Sequence, residues 1–172
     1  MLAGNNAYAP SVSVDILVVG GGGTGGPWNP SGGGLMYRGS GGGAGGLIYI
    51  SSFPITGNVS YTTTVGAGGA GSSGTLQNRG SDSVFTGNGR TLTALGGGGG
   101  GYSDSTNNGQ TGGSGGGQWY PGYTGASATQ PANTNDGVQT WNGTGFGNKG
   151  GDSGNAQPYG SGGGGEIGRA HV

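Results

Sequence analysis

The chain alternates between short apolar runs and long runs of glycine. In Ser11–Val19, valine and isoleucine occupy one alternating set of positions and Ser13, Asp15, Leu17 and Val19 the other, which predicts a strand that is more buried towards its end. Pro54 and Gly57-Asn58 predict a turn over residues 53–58, and Gly87-Asn88-Gly89 predicts a hairpin turn. Further strands are predicted at residues 47–50, 59–65, 83–86 and 91–95. No segment has helical apolar spacing, so almost no α-helix is expected.

Glycine accounts for 52 of the 172 residues, and its runs follow or interrupt the predicted strands. Such runs are typical either of a flexible linker or of extended threefold helices that stack side by side and bond to one another. The strands before Gly96 argue that the first half is a folded scaffold. For residues 102–165, where apolar runs vanish, both interpretations stay open: disorder in isolation, or glycine helices packed on the scaffold.

Charged residues make up only 6% of the chain, with a net charge of −1 and no cysteine. The lack of cysteine excludes disulfides and thiolate metal sites. Five basic residues do not supply the positive surface that nucleic acid or an anionic membrane attracts. No apolar run approaches the roughly 18 residues of a membrane span, so no membrane insertion is expected.

The last seven residues, Glu166–Val172, are interpreted as an artefact. Their sequence after Glu166, Ile-Gly-Arg-Ala-His-Val, is what one reading frame of a common sequencing adaptor encodes. We therefore expect the natural chain to be truncated near Gly165. Residues 1–10 are expected to be an N-terminal lead, itself truncated, and residues 11–165 a single domain. His171, the one histidine, is excluded with this segment.

The sequence offers little chemistry for catalysis. Gly20–Gly25 matches the dinucleotide fingerprint G-x-G-x-x-G, but Gly26-Pro27 follows instead of a helix, and the match is expected by chance in so glycine-rich a chain. Asn133–Gly137 faintly resembles a calcium loop but lacks the downstream glutamate. No residue pattern places two of the aspartates together as a glycosidase pair. We expect no enzyme, no catalytic residue, no cofactor and no metal.

The aromatic residues outside the strands are the candidate binding residues. They lie among Gly, Ser and Asn, a composition shared with antibody-like binding loops, where rigid aromatic side chains anchor the contact. The alternative is that they cover the ends or edges of a glycine bundle. The predicted receptor-binding residues are Trp28, Tyr37, Tyr102, Trp119, Tyr120, Tyr123 and Trp141.

The order of strands and glycine runs resembles a known module. Ser11-Val-Ser-Val-Asp-Ile-Leu-Val-Val-Gly-Gly-Gly-Gly23 is followed by Gly41-Gly-Gly-Ala-Gly-Gly-Leu-Ile-Tyr49, Tyr61-Thr-Thr-Thr-Val-Gly-Ala-Gly-Gly69, Gly80-Ser-Asp-Ser-Val-Phe85 and Thr93-Ala-Leu-Gly-Gly-Gly-Gly99. This series looks like the glycine-rich module of bacteriophage tail and virion structural proteins. It is also similar to glycine-rich tail-fibre adhesins and to the glycine-rich domain of anaplastic lymphoma kinase receptors.

The resemblance implies an all-β fold: a jelly-roll-like β-sandwich scaffold with an inserted bundle of polyglycine-II helices. It implies a non-enzymatic structural or adhesin module at a tail-fibre tip or virion surface, in the virion or extracellular. The expected partners are a bacterial surface glycan or outer-membrane protein and other tail or virion proteins. Two alternatives remain open: a passive extracellular spacer without a ligand, and a depolymerase that uses aspartate pairs.

Overall fold

The computed structural model describes residues 10–27, 39–71, 77–102, 108–154 and 161–165, and these contain strands but no helix. The bounds are β1 (Ser11–Val19), β2 (Leu47–Thr56), β3 (Tyr61–Thr64), β4 (Ser83–Gly87), β5 (Arg90–Ala94), β6 (Thr134–Asn135), β7 (Thr140–Trp141) and β8 (Gly145–Phe146). The all-β prediction is confirmed. No element of the described ranges is a helix long and apolar enough to cross a bilayer.

Two small antiparallel sheets enclose the hydrophobic core, and together with β6 and β7 we call them the sandwich. One has the strand order β1-β2-β8 and the other β3-β4-β5, while β6 and β7 form a separate ladder. The core comprises Val18, Ile48, Ile50, Phe53, Leu92 and Ala94, with Ile16, Ile55, Phe85 and Trp141 packed against it. Phe53 lies at its centre, with its ring edge-on to Phe85 at 5.9 Å. The jelly-roll arrangement stays a prediction.

Strand β1 has the predicted bounds and the predicted gradient of burial. Val12 and Val14 are exposed, Ile16 is half-buried and Val18 is buried. The early part of this face is exposed because the opposite sheet contacts only the later residues, which line the core.

Strand β2 is longer than predicted, because a β-bulge replaces the expected turn at Phe53. The register passes from Val14↔Phe53 to Ile16↔Ile50, so β2 contains one extra residue there. Ser52 adopts a positive φ of 58° and donates its N–H to Asp15 Oδ1 at 3.1 Å. The bulge brings Phe53 to the same face as Ile50, which a regular alternation would not.

The remaining strands of the first half differ from prediction by one or two residues at their ends. The hairpin turn between β4 and β5 is confirmed, with Asn88 and Gly89 at φ 51° and 72°. Two successive positive φ angles are typical of the type I′ turn, which matches the twist of the flanking strands.

The glycine-rich segments are extended and bond to one another with a three-residue period. The N–H groups of residues 20, 23 and 26 donate to carbonyls 46, 43 and 40 of one neighbour at 2.8–2.9 Å. Those of residues 21 and 24 donate to carbonyls 81 and 78 of a second neighbour. Gly22 and Gly25, the third position of each turn, are exposed. A helix with three residues per turn and no internal hydrogen bonds has this pattern, as in polyglycine II.

We call this assembly the glycine bundle and its residues 114–118 the central helix. The central helix donates to residues 39–46, 110–113 and 147–151 and accepts from residues 95–101, 125–130 and 161–165. Residues 112–119 are all buried. Six bonded neighbours around one helix are hexagonal packing, so the glycine segments after Gly96 within the described ranges form part of an ordered bundle. Residues 134–146 instead carry β6, β7 and β8.

The bundle has one end on the sandwich and one end away from it. Residues 20, 46 and 95 directly adjoin β1, β2 and β5 and are bonded together. Residues 26, 40, 101 and 117 form the opposite layer, joined by hydrogen bonds of 2.8–2.9 Å. We call this the far end; six residues at ~3.1 Å each separate it from the sandwich by roughly 19 Å.

Candidate functional site

Two exposed tyrosines lie at the far end of the bundle. Tyr120 is 39% exposed and Tyr123 38%, and both follow the central helix directly. Their rings contact each other edge-on, with centroids 5.5 Å apart. The two phenol rings therefore form one continuous aromatic surface, and we call the segment that carries them the aromatic turn (residues 120–123).

The backbone of the aromatic turn is a tight β-turn. Tyr123 N–H donates to the Tyr120 carbonyl at 3.3 Å, and Gly122 has a φ of 80°. Pro121 at the second position and a positive-φ glycine at the third are the residues that a type II turn requires. The turn therefore fixes the backbone positions of both tyrosines before any ligand arrives.

The segment that includes Ser153 holds the turn against the bundle. Ser153, which is buried, donates its N–H to the Tyr123 carbonyl at 3.1 Å and its hydroxyl to the Tyr120 carbonyl. Next to it, Asp152 Oδ1 accepts hydrogen bonds from Lys149 Nζ at 2.5 Å and Gly125 N–H at 2.7 Å. The hydrogen bond from Lys149 is the main cause that lowers the pKa of Asp152, and the bond from Gly125 also lowers it.

Two of the predicted binding residues lie inside the bundle beneath this surface. Trp119 is only 2% exposed and Tyr102 only 4%. The Trp119 ring packs against Tyr120 with centroids 6.2 Å apart. The backbone N–H of Trp119 donates to Gln118 Oε1 at 3.0 Å, and the Gln118 side chain is itself buried. Trp119 therefore supports Tyr120 from the inside of the bundle.

Trp141, another of the predicted binding residues, lies in a different part of the molecule. Trp141 belongs to β7 in the sandwich, where its ring packs on Phe53 at 5.8 Å and its Nε1–H donates to Asp136 Oδ2 at 2.8 Å. The structure therefore does not bring Trp141 together with Tyr120 and Tyr123. Trp28 and Tyr37 lie outside the described residues.

The motifs weighed for catalysis or metal binding have structural partners. Gly20–Gly25 runs through the bundle as an extended segment. In the calcium-like loop, both oxygens of Asp136 accept hydrogen bonds, two of them from the N–H groups of Val138 and Gln139. Arg90 neutralises this carboxylate, where a bound cation would otherwise do so. Among the described residues no three His, Cys, Asp or Glu side chains come together.

Sequence reasoning missed how the aromatic turn is built. Tyr-Pro-Gly-Tyr at residues 120–123 carries the Pro-Gly signal of a type II turn, which could have separated these two tyrosines from the other aromatic residues. Ser153 gave no such signal, because it contacts the turn from 30 or more residues away.

Comparison with known proteins places the chain in one family. A family model described as a glycine-rich domain matches residues 3–171. No curated protein and no solved structure matches the chain significantly.

Proposed function

This chain belongs to the glycine-rich domain family, and from that premise we propose that it is a non-enzymatic structural and adhesin module of a phage tail-fibre tip or virion surface. In this proposal the aromatic turn contacts a bacterial surface glycan or outer-membrane protein. The observation that carries it is the pair of exposed tyrosines on a turn held at the far end of the bundle.

The chemistry of the aromatic turn suits recognition. Tyrosine offers a large apolar ring and a hydroxyl while losing little side-chain freedom on binding, and exposed rings of this kind are common binding anchors. The turn rests on a bundle whose backbone is bonded on all sides. Because the backbone of the turn is already ordered, a ligand that binds there immobilises few additional groups, and this limits the entropic cost of binding.

The second candidate is a passive extracellular spacer. The burial of Tyr102 and Trp119 favours it, because side chains inside the bundle contribute packing and not contact area. A spacer would use the same bundle for stiffness alone and would leave Tyr120 and Tyr123 without a ligand.

The deciding experiment measures binding of the recombinant chain to an array of bacterial surface polysaccharides and to intact Gram-negative and Gram-positive cells. We expect retention, and at least a roughly tenfold loss in a Tyr120→Ala/Tyr123→Ala double variant, because interface tyrosines each contribute about 2 kcal/mol when they are hot spots. Tyr49→Ala is the matched control, since Tyr49 is 44% exposed on the sandwich. If the wild type and both variants bind equally well, the proposed binding site is wrong. If none of the three proteins binds any glycan or cell, the result supports the spacer.

A further inference from the structure

A groove separates strand β5 from the segment 130–135. In the described residues β5 pairs with β4 along one edge only. Its other edge is bridged at two points: Thr91 N–H donates to the Asp136 carbonyl, and Leu95 N–H donates to Gln130 Oε1, both at 2.8 Å. Thr93 lies between these bridges. The space enclosed is about 430 Å³, within the roughly 300–1,000 Å³ typical of small-molecule sites.

The wall opposite β5 is fixed by its own hydrogen bonds. Asn133 Oδ1 accepts from Gly143 N–H and Asn135 Oδ1 from Gly137 N–H, both at 2.9 Å. Thr134, between them, is paired with Trp141 in the β6-β7 ladder. The groove therefore exists before a ligand binds, and each asparagine retains an amide NH₂ group for which no bond is formed within the described residues.

The lining of the groove is uncharged. Its side chains are Thr91, Thr93, Thr134, Gln130, Asn133 and Asn135, with Leu95 and Pro131 as apolar members. The nearest buried charges, Arg90 and Asp136, neutralise each other. A charged ligand would thus lose its hydration without meeting a countercharge.

One lining group lacks a partner. Thr134 is 6% exposed, and its Oγ1 forms no hydrogen bond with any described residue. Buried hydroxyls are nearly always bonded, so this one calls for a partner that the described residues do not supply. A ligand in the groove that offers a neutral donor or acceptor beside Thr134 would supply it.

We propose that this groove binds a neutral saccharide unit. Hydroxyl and amide groups can donate to and accept from neighbouring sugar hydroxyls, and Leu95 and Pro131 provide surface for the C–H face of the ring. The groove lies on the sandwich and shares no residue with the aromatic turn, so the inference does not rest on the proposed function.

The test is titration of the ¹⁵N-labelled protein with D-glucose, D-galactose, D-mannose and N-acetyl-D-glucosamine, each alone, followed by amide chemical shifts. At least one sugar should shift the amides of Thr93, Thr134 and Leu95. Thr134→Val should weaken that binding about tenfold or more without lowering the melting temperature, because the lost hydroxyl has no bond to a described residue. Thr62→Val, at an exposed threonine of β3, should bind like the wild type.

The proposal is overturned if none of the four sugars shifts the groove amides, or if Thr134→Val binds as tightly as the wild type. Thr93→Val, on the opposite and half-exposed wall, supplies the same test should Thr134→Val fail to fold. The Tyr120→Ala/Tyr123→Ala variant separates the two sites. It should retain full saccharide shifts in the groove even if its binding to cells is lost.

Discussion

At the scale of single residues, Asp136 joins three parts of the sandwich. Its Oδ2 accepts from Arg90 and from Trp141 Nε1, and its Oδ1 from Val138 and Gln139 N–H at 2.8–2.9 Å. Arg90 in turn lies over the Phe53 ring, 5.6 Å from its centroid. One buried carboxylate thus orients the β4–β5 hairpin, the β6–β7 ladder and the aromatic core.

These hydrogen bonds make the free energy of unfolding depend on pH in the acidic range. Burial alone would raise the pKa of Asp136, but the hydrogen bonds from Trp141, Gln139, Val138 and Arg90 outweigh it and lower the pKa from 3.8 to about 2. A depressed carboxyl pKa adds stability above the unfolded value, which is lost as pH falls through the folded value. We expect about 2 kcal/mol to disappear between about pH 4 and pH 2, measured by urea unfolding.

The Asp136→Asn variant should lose most of this acid dependence. At pH 7 it should also be about 3 kcal/mol less stable, because the Arg90 guanidinium is left buried without its counter-ion. Asp82→Asn is the control, since Asp82 accepts a separate bond from Gly96 N–H and leaves the Asp136 bonds in place. An equal acid response in both variants would show that other carboxylates govern it.

At the scale of elements, the glycines of the central helix are held by backbone contacts that leave no room for a side chain. At Gly116 an added Cβ would overlap the carbonyl of Gly99, on a neighbouring helix that is itself bonded to others. To remove this overlap, the whole neighbouring segment that contains Gly99 would have to move. Glycine is required there by close approach and not by an unusual backbone angle.

Gly116→Ala should therefore destabilise the protein by about 3 kcal/mol or more, since the overlap falls on backbone instead of a flexible side chain. Gly154→Ala is its matched control, because no atom of the described residues lies within 4 Å of that Cβ. Alanine there should be neutral or stabilising by up to about 1 kcal/mol through the unfolded state. Thermal unfolding of both variants measures the difference, and similar melting temperatures would contradict the close packing.

At the scale of the whole molecule, the sandwich and the glycine bundle are continuous. Residues 20, 46 and 95 leave or enter strands of the sandwich and are also bonded to one another in the bundle. Separating the two parts would break these bonds and uncover Gly46 and Leu95, which lie between them. We therefore expect the two parts to unfold in one transition.

Trp119 and Trp141 report on the two parts separately, since one is buried at the far end of the bundle and the other packs on Phe53. Two variants, both carrying Trp28→Phe, each retain one tryptophan. Trp119→Phe retains Trp141, which reports on the sandwich, and Trp141→Phe retains Trp119, which reports on the bundle. For each protein, the fluorescence midpoint in urea should equal the midpoint by circular dichroism. A fluorescence transition that precedes or follows it would show that the bundle and sandwich unfold independently.

The sequence predicted the five strands of the first half because their signals are local. It missed β6, β7 and β8, which are only two residues long each and so show no alternation. Alternation fixed β1, and Asn-Gly fixed the β4–β5 turn. The bulge at Ser52 escaped prediction because it depends on Asp15, 37 residues away. The Arg90–Asp136 pair spans 46 residues and gave no local pattern either.

The candidate site, like the fold, was predicted only where its signals are local. Aromatic residues in polar contexts were identified, but composition could not separate exposed Tyr120 and Tyr123 from buried Tyr102 and Trp119. That distinction depends on which glycine segments lie beside one another. Segments of nearly identical sequence carry no information about their neighbours in the bundle.

The bundle's lateral hydrogen bonds also bear on how such a protein can evolve. The residues that hold the glycine bundle together are glycines whose backbones contact their neighbours. Few substitutions in the central helix are therefore compatible with folding. The turn at residues 120–123 lies outside that lattice and touches it mainly through Ser153. The length and the side chains of this turn can therefore change while the glycine bundle stays intact. Among proteins that share the bundle, we expect sequences to diverge fastest at the turns of the far end.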